Sequence, residues 1–165
     1  MGTVENIGGS GFDRAAFCYG GMVMIKLSLP REQYWIDLHP MVRVKVRPCT
    51  TPLVEAARSM AARVMGDIIN GSDDLLMVEH DVADLQKKLL DPDWCTGVRQ
   101  FVYVQCLAKA AILEWDGDGV KTDAGEIGKI TTENLRDVLL HSDIKDVFMR
   151  EFTKPLMQVV AEGNV

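Results

Sequence analysis

The chain is poor in the features that announce a chemistry. It has four cysteines, Cys18, Cys49, Cys95 and Cys106, and no two form a CxxC pair. That removes the paired-cysteine spacing of a structural zinc site and leaves no disulfide framework; with nine methionines beside them, scattered thiols point to a reducing cytoplasm. Its three histidines, His39, His80 and His141, stand in three separate segments, and HExxH, GxSxG, P-loop and GxGxxG patterns are all missing. Gly8-Gly9-Ser10-Gly11 has neither a strand before it nor a Lys-Ser/Thr after it. The expectation is a protein without catalytic residues, metal or cofactor. Positive charge is also short. A formal net charge of −6 opposes the basic field that nucleic-acid binding requires. No apolar run approaches the roughly 20 residues of a membrane helix. The longest candidate, FVYVQCLAKAAIL, is interrupted by Gln105 and Lys109. Residues 1–21 lack the basic start and apolar stretch of a signal peptide.

What remains is ordinary globular material: 165 residues, 47% apolar and 25% charged, enough for one domain with a core. The spacing predicts an α+β fold, an N-terminal antiparallel β-meander followed by a bundle of about four to five helices. Residues 1–21, rich in glycine and without periodicity, read as a disordered leader. Either translation starts at Met22 or Met24, or the leader is a flexible tail. Residues 22–165 read as a single α+β domain. Strands are expected at 24–29, 34–38 and 41–47. In the last, Val42, Val44 and Val46 alternate with Arg43, Lys45 and Arg47, and His39-Pro40 supplies the turn.

Thr51 as N-cap with Pro52 following opens a helix carrying Leu53, Val54, Ala57, Met60, Ala61, Val64, Met65 and Ile68 on one stripe, closed by Asn70-Gly71. A second helix, 73–90, has a narrow seam of Leu75, Val78, Val82, Leu85 and Leu89. A third, from about 93 to 115, is apolar on most sides and is the expected buried centre. Thr131 or Thr132 caps a short fourth helix. Ser142 caps a fifth, with Ile144, Val147, Phe148 and Phe152 on one face and Pro155 expected to kink or divide it.

Residues 114–126, EWDGDGVKTDAGE, pose the one metal question. Counted from Asp116 as an EF-hand loop, Asp118 fits the third position, but Val120 holds the fifth, Lys121 the glycine position, and Glu126 falls one residue early. Glycine and aspartate tolerate unusual backbone angles, so a turn-rich excursion or small hairpin is the better reading. The basic face Arg43, Lys45, Arg47 is either a contact for an acidic partner or a solvated face that protects a strand edge. The seam Leu75, Val78, Val82, Leu85, Leu89 is either a partner-binding face or internal packing. Trp35, Trp94 and Trp115 are interface anchors or core.

Three segments, WIDLHPMVRVKVRPCTTPLVEAARSMAARV, CLAKAAILEWDGDG and FMREFTKPLMQVVAEGN, together resemble the small tail assembly chaperones of tailed phages, prophages and gene transfer agents of proteobacteria. The similarity runs from about residue 33 to 164. It implies an assembly factor that coats the long helical tape-measure protein in the host cell cytoplasm, keeps it soluble and helps recruit tail-tube subunits. The partners it implies are the tape-measure protein and, second, the tail-tube protein; self-association stays open, and neither nucleic acid nor membrane is expected. Such proteins often continue past the "EGN" segment in a Ser/Pro/Gly-rich tail, so the end at Val165 reads as a truncation or as the short product of a frameshifted pair. The alternatives are a structural tail or neck component retained in the particle, or a ligand-binding or enzymatic domain with a defined pocket and convergent polar groups.

Overall fold

A computed structural model of the chain describes residues 30–70 and 87–162, with side chains through residue 157. The expected leader, the expected strand 24–29 and all of the expected helix 73–90 but its last four residues lie outside them. Within the described residues the chain is α+β. The elements are β1 (Tyr34–His39), β2 (Val42–Val46), α1 (Thr51–Ile69), α2 (Pro92–Ala111), β3 (Ile112–Asp116), a single 3-10 turn (Asp118–Val120), α3 (Thr132–Leu139) and α4 (Ser142–Glu162). The sheet is antiparallel in the order β1-β2-β3.

Alternation places the sheet as expected. Val42, Val44 and Val46 are all buried, with Ile36 and Leu38 of β1 beside them, while Arg43 faces outward. The β1–β2 connection passes through Pro40, and the register slips between Asp37 and His39. Helix α1 lays Val54, Ala57, Ala61, Val64, Met65 and Ile68 on the core; Met60, assigned to the same stripe, is exposed at its edge. Its N-cap is Thr50 rather than Thr51, with Pro52 in the first turn and no side-chain cap bond. In α2 the Asp91 side chain accepts from the backbone N–H of Asp93 at 2.9 Å, and Pro92 takes the first helical position, where its missing N–H costs nothing.

The largest departure from the expected layout is the third strand. The helix expected to reach residue 115 stops at Ala111, and Ile112–Asp116 turns directly into β3. An all-round apolar helix and a buried strand cannot be told apart by periodicity over so short a run. Tertiary pairing decides it. Facing β2, Val44 meets Trp115, Lys45 meets Glu114 and Arg43 meets Asp116. Trp115 is buried, and its indole N–H donates to the Gly128 carbonyl at 2.6 Å. A backbone bond from Arg47 N–H to Ala111 O, 2.9 Å, carries the ladder into the helix end.

The remaining helices close the core. Helix α1 packs on α2, α3 on α2 and α4, and α4 against β1. Thr131 is the N-cap of α3, its hydroxyl accepting from Asn134 N–H at 3.2 Å. Ser142 is the first residue of α4 rather than its cap, and the helix runs on through Pro155 without dividing. The rings of Phe148 and Phe152 stack at 5.3 Å, and both are fully buried.

Residues 116–128 are held by their glycines. Gly117 has φ +117°, and a Cβ there would strike the Met41 carbonyl oxygen; Gly119 N–H donates to that same oxygen at 2.9 Å. Lys121 and Ile127 form an antiparallel bridge, the small hairpin foreseen, with Gly125 at φ +78° in open space. Gly117→Ala combines a disallowed backbone with a backbone clash and should cost at least about 2 kcal/mol. Gly125→Ala meets only the conformational penalty, about 1 kcal/mol. Urea unfolding of the two variants checks the difference; equal effects would mean that the close approach to Met41 is not what requires the glycine.

Candidate functional site

The basic strand face is built by β2 and answered by β3. Arg43 Nε lies 3.0 Å from Asp116 Oδ2 and its guanidinium 4.8 Å from the centre of the Trp35 ring; Lys45 Nζ lies 3.0 Å from Glu114 Oε1. The Asp116 carboxyl is held below its ordinary value, chiefly by the Arg43 hydrogen bond and then by the Gly117 N–H. Two of the three cations foreseen as a partner contact are therefore matched inside the sheet. Arg47 is exposed and has no ion pair among the described residues. The outer sheet face is a mixed-charge surface around a half-exposed Trp35.

Of the seam foreseen for partner binding, Leu75, Val78, Val82 and Leu85 lie outside the described residues. Leu89 is half-buried and packed on the core, the internal alternative for that position. Trp94 stands at the surface with Lys88 Nζ 4.7 Å from its ring centre. Trp115 belongs to the core.

Two arrangements were not foreseen. His39 and His141, a hundred residues apart by number, line one cavity of about 410 Å³ with Asp137 and Asp143. Two of its polar groups are already engaged: His39 Nδ1 accepts from Met41 N–H at 3.3 Å, and Asp137 holds Arg136 at 2.9 Å. Among the described residues no group of three or more His, Cys, Asp or Glu is disposed to hold a metal ion. In the acidic loop, Asp116 pairs with Arg43 and Asp118 with Lys121 at 2.6 Å, so both leading carboxylates already face cations.

The second arrangement is a groove of about 490 Å³ between α1 and α2, lined by Ala61, Ala62, Met65, Gly66, Ile69 and Tyr103, with Arg58 and Arg99 at its edges. Ile69 is 58% exposed there. The sequence signal for it was present: Ala62, Gly66 and Ile69 recur at three and four beside the main stripe, next to Met65 at its edge. No family model matches the chain, no curated protein matches it, and no solved structure matches it. No helix among the described residues is long and apolar enough to cross a membrane.

The thiols offer no nucleophile in the core. Burial pushes the Cys49 thiol up to about 11 and raises that of Cys106 against the pull of Lys109 and Arg63. Only a thiolate attacks, so both should resist iodoacetamide in the native state while half-buried Cys95 reacts. Peptide mapping after native labelling near pH 8 checks the order; prompt modification of Cys49 would contradict its placement. Raised thiols stabilise below the ordinary value, 9.0, and that contribution fades as pH climbs towards about 11 for Cys49.

Asp116 gives the opposite limb. Its lowered carboxyl stabilises the fold above the ordinary value, 3.8, and the contribution is lost as pH falls through the lower folded value. Asp116→Asn should therefore flatten part of the acid limb of stability against pH. An acid limb identical to that of the unsubstituted protein would show the Arg43–Asp116 pair to be idle in solution.

Proposed function

We propose that this protein is a tail assembly chaperone of a tailed phage, prophage or gene transfer agent, acting in the host cell cytoplasm on a long helical tape-measure protein. The observation that carries the reading is where the resembling segments fall. WIDLHPMVRVKVRPCTTPLVEAARSMAARV supplies β1, β2 and most of α1, CLAKAAILEWDGDG supplies the end of α2, β3 and the glycine turn, and FMREFTKPLMQVVAEGN falls, as far as Glu162, in α4, which packs on β1. Segments about seventy residues apart pair directly with one another: Lys45 and Glu114 are separated by 69 positions. Similarity concentrated in parts that pack together is what a shared fold leaves in a sequence.

The apolar surface supports the same reading. A factor that keeps helical chains soluble needs accessible apolar area of helical shape, and the α1/α2 groove offers it. No catalytic step belongs to this role. Gly117 and Trp115 are then scaffold residues, whose substitution would disturb binding only by disturbing the fold.

Co-expression with a long helical tape-measure protein tests the proposal. The chaperone reading expects copurification and a higher soluble yield of that protein, with this chain missing from finished particles. Retention in purified particles would favour the structural tail or neck component instead. Neither copurification nor improved yield would sink the chaperone assignment.

A further inference from the structure

We propose that the α1/α2 groove is a docking site for one amphipathic helix whose apolar stripe is flanked by carboxylates. This rests on the chaperone reading for the kind of partner; the surface and the charge pattern it selects come from the groove itself. On a chain of net charge −6, the charged residues lining this groove are two arginines and no acid. Arg58 reaches back to Glu55 of its own helix at 2.6 Å, while Arg99 is exposed and makes no ion pair among the described residues. Lining the groove with them are Ala62, Gly66, Ile69 and Tyr103, small side chains among larger ones. A helix seated here would set apolar side chains over Gly66 and Ile69 and its flanking carboxylates beside the arginines. A basic helix would meet like charge.

Gly66 sharpens the argument. It sits inside α1, where glycine is a poorer helix former than alanine, and a Cβ built there meets nothing within 4 Å. Among the described residues, packing does not call for the missing side chain. The vacant space above it opens into the groove, where it permits close approach by another helix. From Arg58 to Ile69 the α1 wall runs about 16 Å, at about 1.5 Å per residue, the length of about three helical turns.

The test uses two synthetic amphipathic peptides of about 20 residues with the same leucine stripe, one flanked by glutamates and one by lysines, each carrying a fluorophore. Anisotropy titration with the full chain should show the glutamate peptide binding at least about tenfold tighter than the lysine peptide. Gly66→Leu fills the groove and should weaken the glutamate peptide about tenfold or more, whereas Gly66→Ala leaves binding nearly unchanged and does not lower the melting temperature. Arg99→Glu, on an exposed site that folding does not need, should cancel or invert the charge preference and stands as the decisive variant should Gly66→Leu fail to fold. Equal binding of the two peptides, no binding of either, or indifference to Arg99→Glu overturns the proposal. So does a dimer that Gly66→Leu dissociates while neither peptide binds, which assigns the groove to a second copy. None of these outcomes touches the copurification test of the chaperone role, which is blind to the surface used.

Discussion

The antiparallel pairing of β2 with β3 constrains everything around it, because β3 is the direct continuation of the central helix. Ala111 ends α2 and Ile112 begins the strand, with no loop between them to absorb a shift. Placing Trp115 opposite Val44 therefore also sets the axial position of α2. A one-residue slip would turn Ile112 and Trp115 outward and Glu114 into the core. Val98, Val102, Cys106 and Leu107 of α2 are all buried, so the packing of α1, and the groove beside it, inherits that register. The charges on the outer face repeat the message. Arg43 and Lys45 meet Asp116 and Glu114 in this register, whereas a one-residue slip would set Gly117 or Trp115 opposite Arg43 and leave the charges unpaired.

This arrangement separates scaffold from surface. The three strands and the glycine turn spend their side chains on each other and on the core. The groove between α1 and α2 lies away from them, on helix faces left over after the core is made. A protein of this design can keep its fold while the outward positions of α1 and α2 change. One core position departs from economy: Gln105 is fully buried, and neither amide atom finds a hydrogen-bond partner among the described residues. An unsatisfied buried amide is costly, and an apolar side chain of similar shape would fit the site better. Nothing in the structure explains its presence.

Strands β1 and β2 and the stripe of α1 were legible because each follows a single period without interruption; Val42, Val44 and Val46 alternate, and Val54 through Ile68 recur at three and four. The turn at 116–128 was legible from glycine and aspartate content. β3 was not, because CLAKAAILEW satisfies a helical reading as well as a strand, and local preference cannot weigh a partner strand some seventy residues away. A signal for it did exist in the charges: basic residues at 43 and 45 mirror acidic residues at 114 and 116 with the spacing of facing strands. The cations assigned to a partner were largely claimed by that pairing. The α1/α2 groove was hidden for a different reason. A face beside the core stripe reads as incidental surface until the neighbouring helix shows that it is concave.

The distance in sequence between β2 and β3 also has a temporal side. Lys45 and Glu114 are 69 positions apart, so during synthesis at about 5–20 residues per second the β1–β2 hairpin waits on the order of several seconds for its third strand. Through that interval β2 presents an unpaired edge, the usual template for joining a neighbouring nascent chain. Arg43, Lys45 and Arg47 make it a cationic one, which repels its own copies on a polysome. Once Glu114 and Asp116 arrive, the same charges change from guards into register marks.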